Sequence, residues 1–265
     1  MDPDRSGARP LSGTERAVLV VPLLGGVVFG LAPFFAQAQF ATAAGYTGND
    51  PFIYRLAGAA TFGYAVALAV GLRERAWRPL RPVVVATLVF NLVSILACLV
   101  EIFRGRAQPV VFLILTTSVF IAATTSWILY RRRAEPWSAT RDIATWVVVA
   151  LGLATAAATV FGVLPQFVGV FAPLFGYSGA DAFVYRQAGA ATLGYAAMGL
   201  VEFRAPRWDA MRLPTVMALV FNGMSAIASA VALAAGEPTG LVVLVGAAST
   251  AFTAAFAVIL ARRGR

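Results

Sequence analysis

The stretch FIYRLAGAATFGYA occupies residues 52–65, and FVYRQAGAATLGYA occupies residues 183–196. They lie 131 residues apart and agree at eleven of fourteen positions. Each reads as an apolar, small-residue helix with one arginine near its start. The same register holds further out: GYTGND (45–50) matches GYSGAD (176–181), Trp77 matches Trp208, and LVFN (88–91) matches LVFN (219–222). Ser118 pairs with Ser249, and Arg131-Arg132 with Arg262-Arg263. Upstream, FGLAP (29–33) matches FGVLP (161–165) after a slip of one residue. The chain is one unit written twice.

Hydrophobic residues make up 60% of the 265 residues and charged residues 12%, far from the usage of soluble domains. Eight apolar runs of about twenty residues recur, each long enough to cross roughly 30 Å of hydrocarbon: 17–36, 52–72, 82–100, 109–130, 143–165, 183–201, 214–235 and 240–261. The first is too long for the core of a signal peptide and has no small-residue cleavage pattern after it, so it reads as an uncleaved helix. Continuous rather than alternating runs argue against a β-barrel.

The net charge of +9 comes from arginine alone, with no lysine and no histidine. Seventeen of the 21 arginines fall in five places: the N-terminus (5, 9, 16), loop 2–3 (73, 75, 78, 81), loop 4–5 (131, 132, 133, 141), loop 6–7 (204, 207, 212) and the C-terminus (262, 263, 265). The alternate loops hold only Arg55, Arg104, Arg106 and Arg186. Positive-inside bias then puts both termini in the cytoplasm. The basic charge is topological, with attraction to anionic lipid head groups, and is not a nucleic-acid footprint.

Four crossings per copy is an even number, so both copies enter from the same side. The expected fold is an all-α integral membrane protein of eight transmembrane helices. They form two parallel four-helix repeats related by a pseudo-two-fold along the membrane normal. Its parts are a cytoplasmic tail (1–16), repeat 1 (17–130), an arginine-rich linker (131–141), repeat 2 (142–261) and a second tail (262–265). The arginine-only, Ala- and Gly-rich composition suggests a GC-rich bacterial genome, hence the inner (plasma) membrane.

The absent residue types exclude histidine-ligated haem, histidine zinc sites, Ser-His and Cys-His catalysis, and Schiff-base lysines. The single cysteine, Cys98, cannot form an internal disulfide. No nucleophile–base pair or metal-ligand set is visible, so no catalytic residue, metal or cofactor is assigned.

Asp50 has the chemistry and place of an N-cap, with Pro51 at the first helical position, and Asp181 is its equivalent. Gly63 and Gly194, with Ala59 and Ala190, give the small-xxx-small spacing that lets membrane helices approach closely. The segments beyond Pro33 and Pro165 either fold back in the outer interface or continue as tilted helix. Asn91 and Asn222 are the strongest polar groups inside the runs, and as a clasp between helices each would contribute about 0.6 kcal/mol. Thr61, Thr192, Ser118 and Ser249 are candidates to line a cavity. Arg55 and Arg186, flanked by Tyr54 and Tyr185, either snorkel, pair with an acid such as Asp50, Asp181, Glu101 or Glu237, or hold an anionic group. The candidate ligand site is therefore Arg55, Arg186, Tyr54, Tyr185, Asn91 and Asn222.

The proline near the end of the first helix, Gly-Tyr-[Thr/Ser]-Gly-x-Asp, and Phe-x-Tyr-Arg-x-x-Gly-x-x-x-x-Gly-Tyr resemble the DoxX-like four-helix membrane proteins. That resemblance covers each half separately and implies a tandem duplication of a four-helix unit. Some members of that group are linked to redox or sulfur metabolism, whereas this chain lacks a cysteine or histidine constellation. Two functions fit the pattern. One is binding or transport of a lipophilic or anionic small molecule from the outer-leaflet side. The alternative is an accessory subunit that docks another membrane protein through its small-residue helix faces. Membrane lipids are partners in either case. The arginine distribution predicts that reporter fusions in loops 1–2, 3–4, 5–6 and 7–8 read as external and both termini as cytoplasmic; an internal reading at loop 5–6 would overturn the parallel arrangement.

Overall fold

A computed structural model describes residues 10–135, 143–204, 206–237 and 239–263. Arg5 and Arg9 of the N-terminal tail, Arg141 of the linker and Arg265 lie outside the described residues. Among the described residues there are eight long helices: α1 (Gly13–Phe35), α3 (Pro51–Glu74), α4 (Trp77–Phe103), α5 (Pro109–Arg131), α6 (Thr145–Val163), α8 (Ala182–Arg204), α9 (Trp208–Ala234) and α10 (Thr239–Arg263). Two short ones, α2 (Gln37–Ala44) and α7 (Val168–Leu174), stand between them. Among the described residues the only β feature is an isolated bridge between Pro10 and Ala76.

Seven of the long helices are long and apolar enough to cross a membrane. The exception is α8, which covers the sixth apolar run. Its 23 residues are long enough, but Arg186, Gln187 and Glu202 lower its apolarity. Large exposed side chains such as Leu24, Val28, Phe112, Leu113, Leu153, Val243 and Leu244 sit on α1, α5, α6 and α10, which gives the protein a continuous apolar exterior suited to lipid.

The helix starts follow local chemistry. Ser12 and Glu15 form a capping box at α1: the Ser12 amide donates to Glu15 Oε2 (2.8 Å), and the Glu15 amide donates to Ser12 Oγ (3.3 Å). Pro51 and Pro109 occupy the first turn of α3 and α5. Asp50 stands at the N-cap of α3 as its sequence position suggests, yet its carboxylate makes no bond to its own helix. Instead the Phe52 amide donates to Glu237 Oε2 at 3.2 Å, so an acid beyond the end of α9 caps α3.

Neither helix before a short helix simply runs on. α1 passes Pro33, stops at Phe35 and gives way to α2. α6 stops at Val163, and a 3-10 turn, Leu164–Gln166, leads into α7. Gly45 and Gly176 then turn the chain toward α3 and α8 with φ of 79° and 76°, which costs glycine nothing.

Helix pairing crosses the midpoint of the chain. α1 packs on α3 and α10 on α9, while α4 lies along α8 and α9 along α3. The N-terminal segment is also docked. The Leu11 amide donates to Arg75 O (3.0 Å), and Arg132 binds both oxygens of Glu15 at 2.8 and 2.6 Å. Arg132 also donates to Pro10 O (2.9 Å) and stacks 5.1 Å from the Trp77 ring centroid.

At the centre the two halves meet through tyrosines. The Tyr64 hydroxyl donates to Ala191 O (2.7 Å), the Tyr195 hydroxyl donates to Ala60 O (2.9 Å), and the rings meet edge to face at 5.2 Å. Gly63 and Gly194 make this possible. A methyl at Gly194 would overlap the Tyr64 hydroxyl and lie 2.6 Å from Ala86 O; one at Gly63 would overlap the Tyr195 hydroxyl and lie 2.9 Å from Met217 O. Gly194→Ala is therefore expected to lower stability in detergent by about 1–3 kcal/mol through overpacking. Gly152→Ala, whose nearest neighbour atom would be Phe203 Cζ at 3.5 Å, should be neutral in the same thermal melt. Equal midpoints for the two variants would show that the tyrosine crossing tolerates a side chain.

Candidate functional site

The loops that precede α3 and α8 exchange carboxylates. Asp181 Oδ1 accepts from the Thr47 amide and hydroxyl, both at 2.9 Å. Its Oδ2 accepts from the Gly48 amide (2.7 Å) and the Tyr54 hydroxyl (2.8 Å). In return Asp50 Oδ1 accepts from the Ser178 amide (2.9 Å), and Oδ2 accepts from the Ser178 hydroxyl (2.8 Å), the Gly179 amide (3.0 Å) and the Tyr185 hydroxyl (2.7 Å). Gly48 and Gly179 have φ of 69° and 64°, which helps turn consecutive amides toward one anion. Tyr54 and Tyr185 are thus engaged in holding the two halves together.

The repeated arginines are paired as well. Arg186 forms a buried ion pair with Glu101, with side-chain exposures of 7% and 5%. Arg55 pairs with Glu237 at 3.3 Å, and both side chains are more accessible, at 21% and 11%. Of the options open in the sequence, pairing with an acid is the one realised, and it again runs between the halves. Around these clusters Tyr46 stacks on Phe183 and Tyr177 on Phe52. Burial first, and then the charges of Glu237 and Asp50, hold the Tyr177 phenol well above its ordinary pKa, so its hydroxyl stays protonated.

Two cavities lie beneath this clasp. The first, of about 110 Å³, is lined by α1, α2, α3, α4 and α5 with Tyr46 and with Phe183, Val184 and Gln187 of α8. The second, of about 130 Å³, is lined by α6, α7, α8, α9 and α10 with Pro165 and with Ile53 and Leu56 of α3. Their linings correspond: Thr61, Tyr64, Phe90, Asn91 and Ser118 in one, and Thr192, Tyr195, Phe221, Asn222 and Ser249 in the other. Both are narrow. The second is lined by α8 from Tyr185 to Glu202, a length of about 25 Å at the rise of an α-helix.

Asn91 and Asn222 face these slots. Each amide nitrogen donates back one turn, to Thr87 O (2.7 Å) and Ala218 O (2.8 Å), so neither clasps another helix through that group. The six candidate residues therefore do not form one site: the two asparagines and Tyr185 line slots, whereas Tyr54, Arg55 and Arg186 do not. The threonines and serines expected at a cavity do line one, with Thr192 also back-bonded to Ala188 O at 2.8 Å.

Two residues that line the slots, Gln187 and Glu202, are not among the sequence-derived candidates. Gln187 Oε1 accepts from Ser94 Oγ (2.8 Å), which in turn accepts from Ser118 Oγ (3.2 Å), so the second half places an amide in the first half's slot. Its departure from Leu56 at the equivalent position was the available signal. Among the described residues no group of three or more His, Cys, Asp or Glu is placed to hold a metal.

No protein-family model, no curated protein and no solved structure matches this chain.

The two arginine pairs differ in burial, and so should their mutants. Arg186→Gln leaves Glu101 buried without its partner and is expected to cost about 3–5 kcal/mol. Arg55→Gln should cost about 1 kcal/mol, because water reaches that pair. Equal losses in denaturation of the detergent-solubilised protein would contradict this assignment.

Proposed function

We propose that the chain is an inner-membrane protein with cytoplasmic termini that binds a lipophilic, chain-shaped molecule in its two slots, taken up from the outer-leaflet side. In this reading the halves are parallel four-helix repeats related by a pseudo-two-fold along the membrane normal, and α8 is the eighth span. Each half is then a unit of the DoxX-like kind. Three pairs of contacts support the repeat reading, because each interaction has a counterpart 131 residues along: the Asp50 and Asp181 clusters, the two tyrosine-to-carbonyl bonds, and the two ring stacks. The one-sided placement of charge supports the topology. Arg78, Arg132 and Arg212 meet Asp209, Glu15 and Glu74 at the end of the bundle away from Asp50 and Asp181.

The slots carry the functional reading. The second slot is lined almost wholly by apolar side chains, so occupation by apolar matter is favoured. Its lining runs along α8 from Tyr185 to Glu202, a length that suits an extended chain. The anionic class has less support, since both arginines already hold carboxylates. The docking alternative has less support too: Gly63 and Gly194 pack inside the chain, and a Cβ at Gly58 would lie 2.5 Å from Gly30 O, which also makes that face internal.

1-Octanol is a suitable probe with the whole protein in a nonionic amphipol. Saturable binding of two molecules per chain is expected, with a Kd of about 1 mM or tighter given the methylenes buried. Ala158→Phe, which fills the second slot, should remove one of the two. Binding that does not saturate, or that ignores Ala158→Phe, would overturn the slot reading.

A further inference from the structure

Glu202 lies in the last turns of α8 and lines the second slot. Its residue exposure is 3%, and its Oε1 is fully buried with no hydrogen-bond partner. The first half has nothing like it. The equivalent position is Gly71, where a Cβ would lie 2.9 Å from Leu213 Cδ1, and no acidic residue lines the first slot. A buried carboxylate without a partner is unfavourable when ionised and under-satisfied when neutral. An ionisable side chain inside a membrane bundle marks a functional position for which a partner should be named.

No arginine lines this slot among the described residues, which therefore supply no counter-charge there. The slot is largely apolar and aromatic: Leu151, Met198, Phe252 and Phe256 line it beside Thr155, and the two phenylalanine rings stack with centroids 6.1 Å apart. Aromatic faces attract cations. The complement of such a site is an apolar chain that ends in one cationic, hydrogen-donating head. We propose that the second slot binds a lipophilic alkylamine, its ammonium on the Glu202 carboxylate and its chain running along α8 toward Tyr185. This rests on the slot reading above and adds the head group and its direction.

Octylamine and 1-octanol, equal in chain length, separate the two levels in the same amphipol preparation. The wild-type protein should bind octylamine in the second slot at least tenfold more tightly than octanol, and Ala158→Phe should abolish that tighter site. Glu202→Gln, which keeps the side-chain shape, should weaken octylamine tenfold or more and leave octanol within twofold. Saturable octanol binding without preference for octylamine would overturn the head-group inference and leave the slot reading standing. Preference for octylamine that survives Glu202→Gln would overturn the assignment to Glu202. Saturable binding of neither probe would overturn both readings. The wild-type comparison needs no variant, so it holds even if Glu202→Gln does not fold.

Discussion

The structure depends on the exchange of carboxylates between Asp50 and Asp181. Each accepts four hydrogen bonds, all from the other half of the chain. Hydrogen bonds to a charged acceptor contribute more than neutral ones. They also settle geometry, because two amides, a serine or threonine hydroxyl and a tyrosine must converge on one group. This fixes where α3 and α8 begin and therefore how they cross. It explains the retention of Gly-Tyr-[Thr/Ser]-Gly-x-Asp in both copies: the second glycine turns its amide, the hydroxyl residue donates twice, and the aspartate serves the neighbouring copy.

Apolar helices in lipid gain little by exchanging lipid contacts for contacts with each other. Close approach and internal polar bonds must supply the specificity. The tyrosine crossing uses both devices. The glycine one residue before each tyrosine admits the other tyrosine's hydroxyl, and each hydroxyl ends on a carbonyl of the opposite helix. Nearer the helix starts, Arg186 meets Glu101 and Arg55 meets Glu237. The two central helices are thus tied at their starts and again about three turns further in, and the slots are left on either side.

Much of this was legible in the residues. The apolar runs and the 131-residue register foretold the long helices and the correspondence of Tyr64 with Tyr195, because periodicity and repetition are local properties of the chain. What was hidden is relational. Asp50 reads as a cap for the helix it precedes, and nothing local reveals that its acceptor oxygens are used by residues 178, 179 and 185. Glu101 and Glu237 do not share the repeat register, so their matching roles opposite Arg186 and Arg55 had no signature. The slots were foreshadowed only by Thr61, Ser118 and their equivalents, since a cavity is a property of four helix faces together. The polar residues that lower the apolarity of α8 are Arg186 and Gln187, whose partners lie on other helices, and Glu202, which faces a slot.

The exchange between the halves also carries a temporal consequence. Synthesis delivers the first half to the membrane before the second exists. Asp50, Glu101 and the Tyr54 hydroxyl then emerge without the groups that bind them, since every one of those groups lies between residues 178 and 186. The lone half carries two acids whose partners have yet to arrive. A single nine-residue segment, arriving as α8 enters, meets all three needs at once. The first half therefore finds all of these partners in one step, and a chain that ends before residue 178 lacks every one of them.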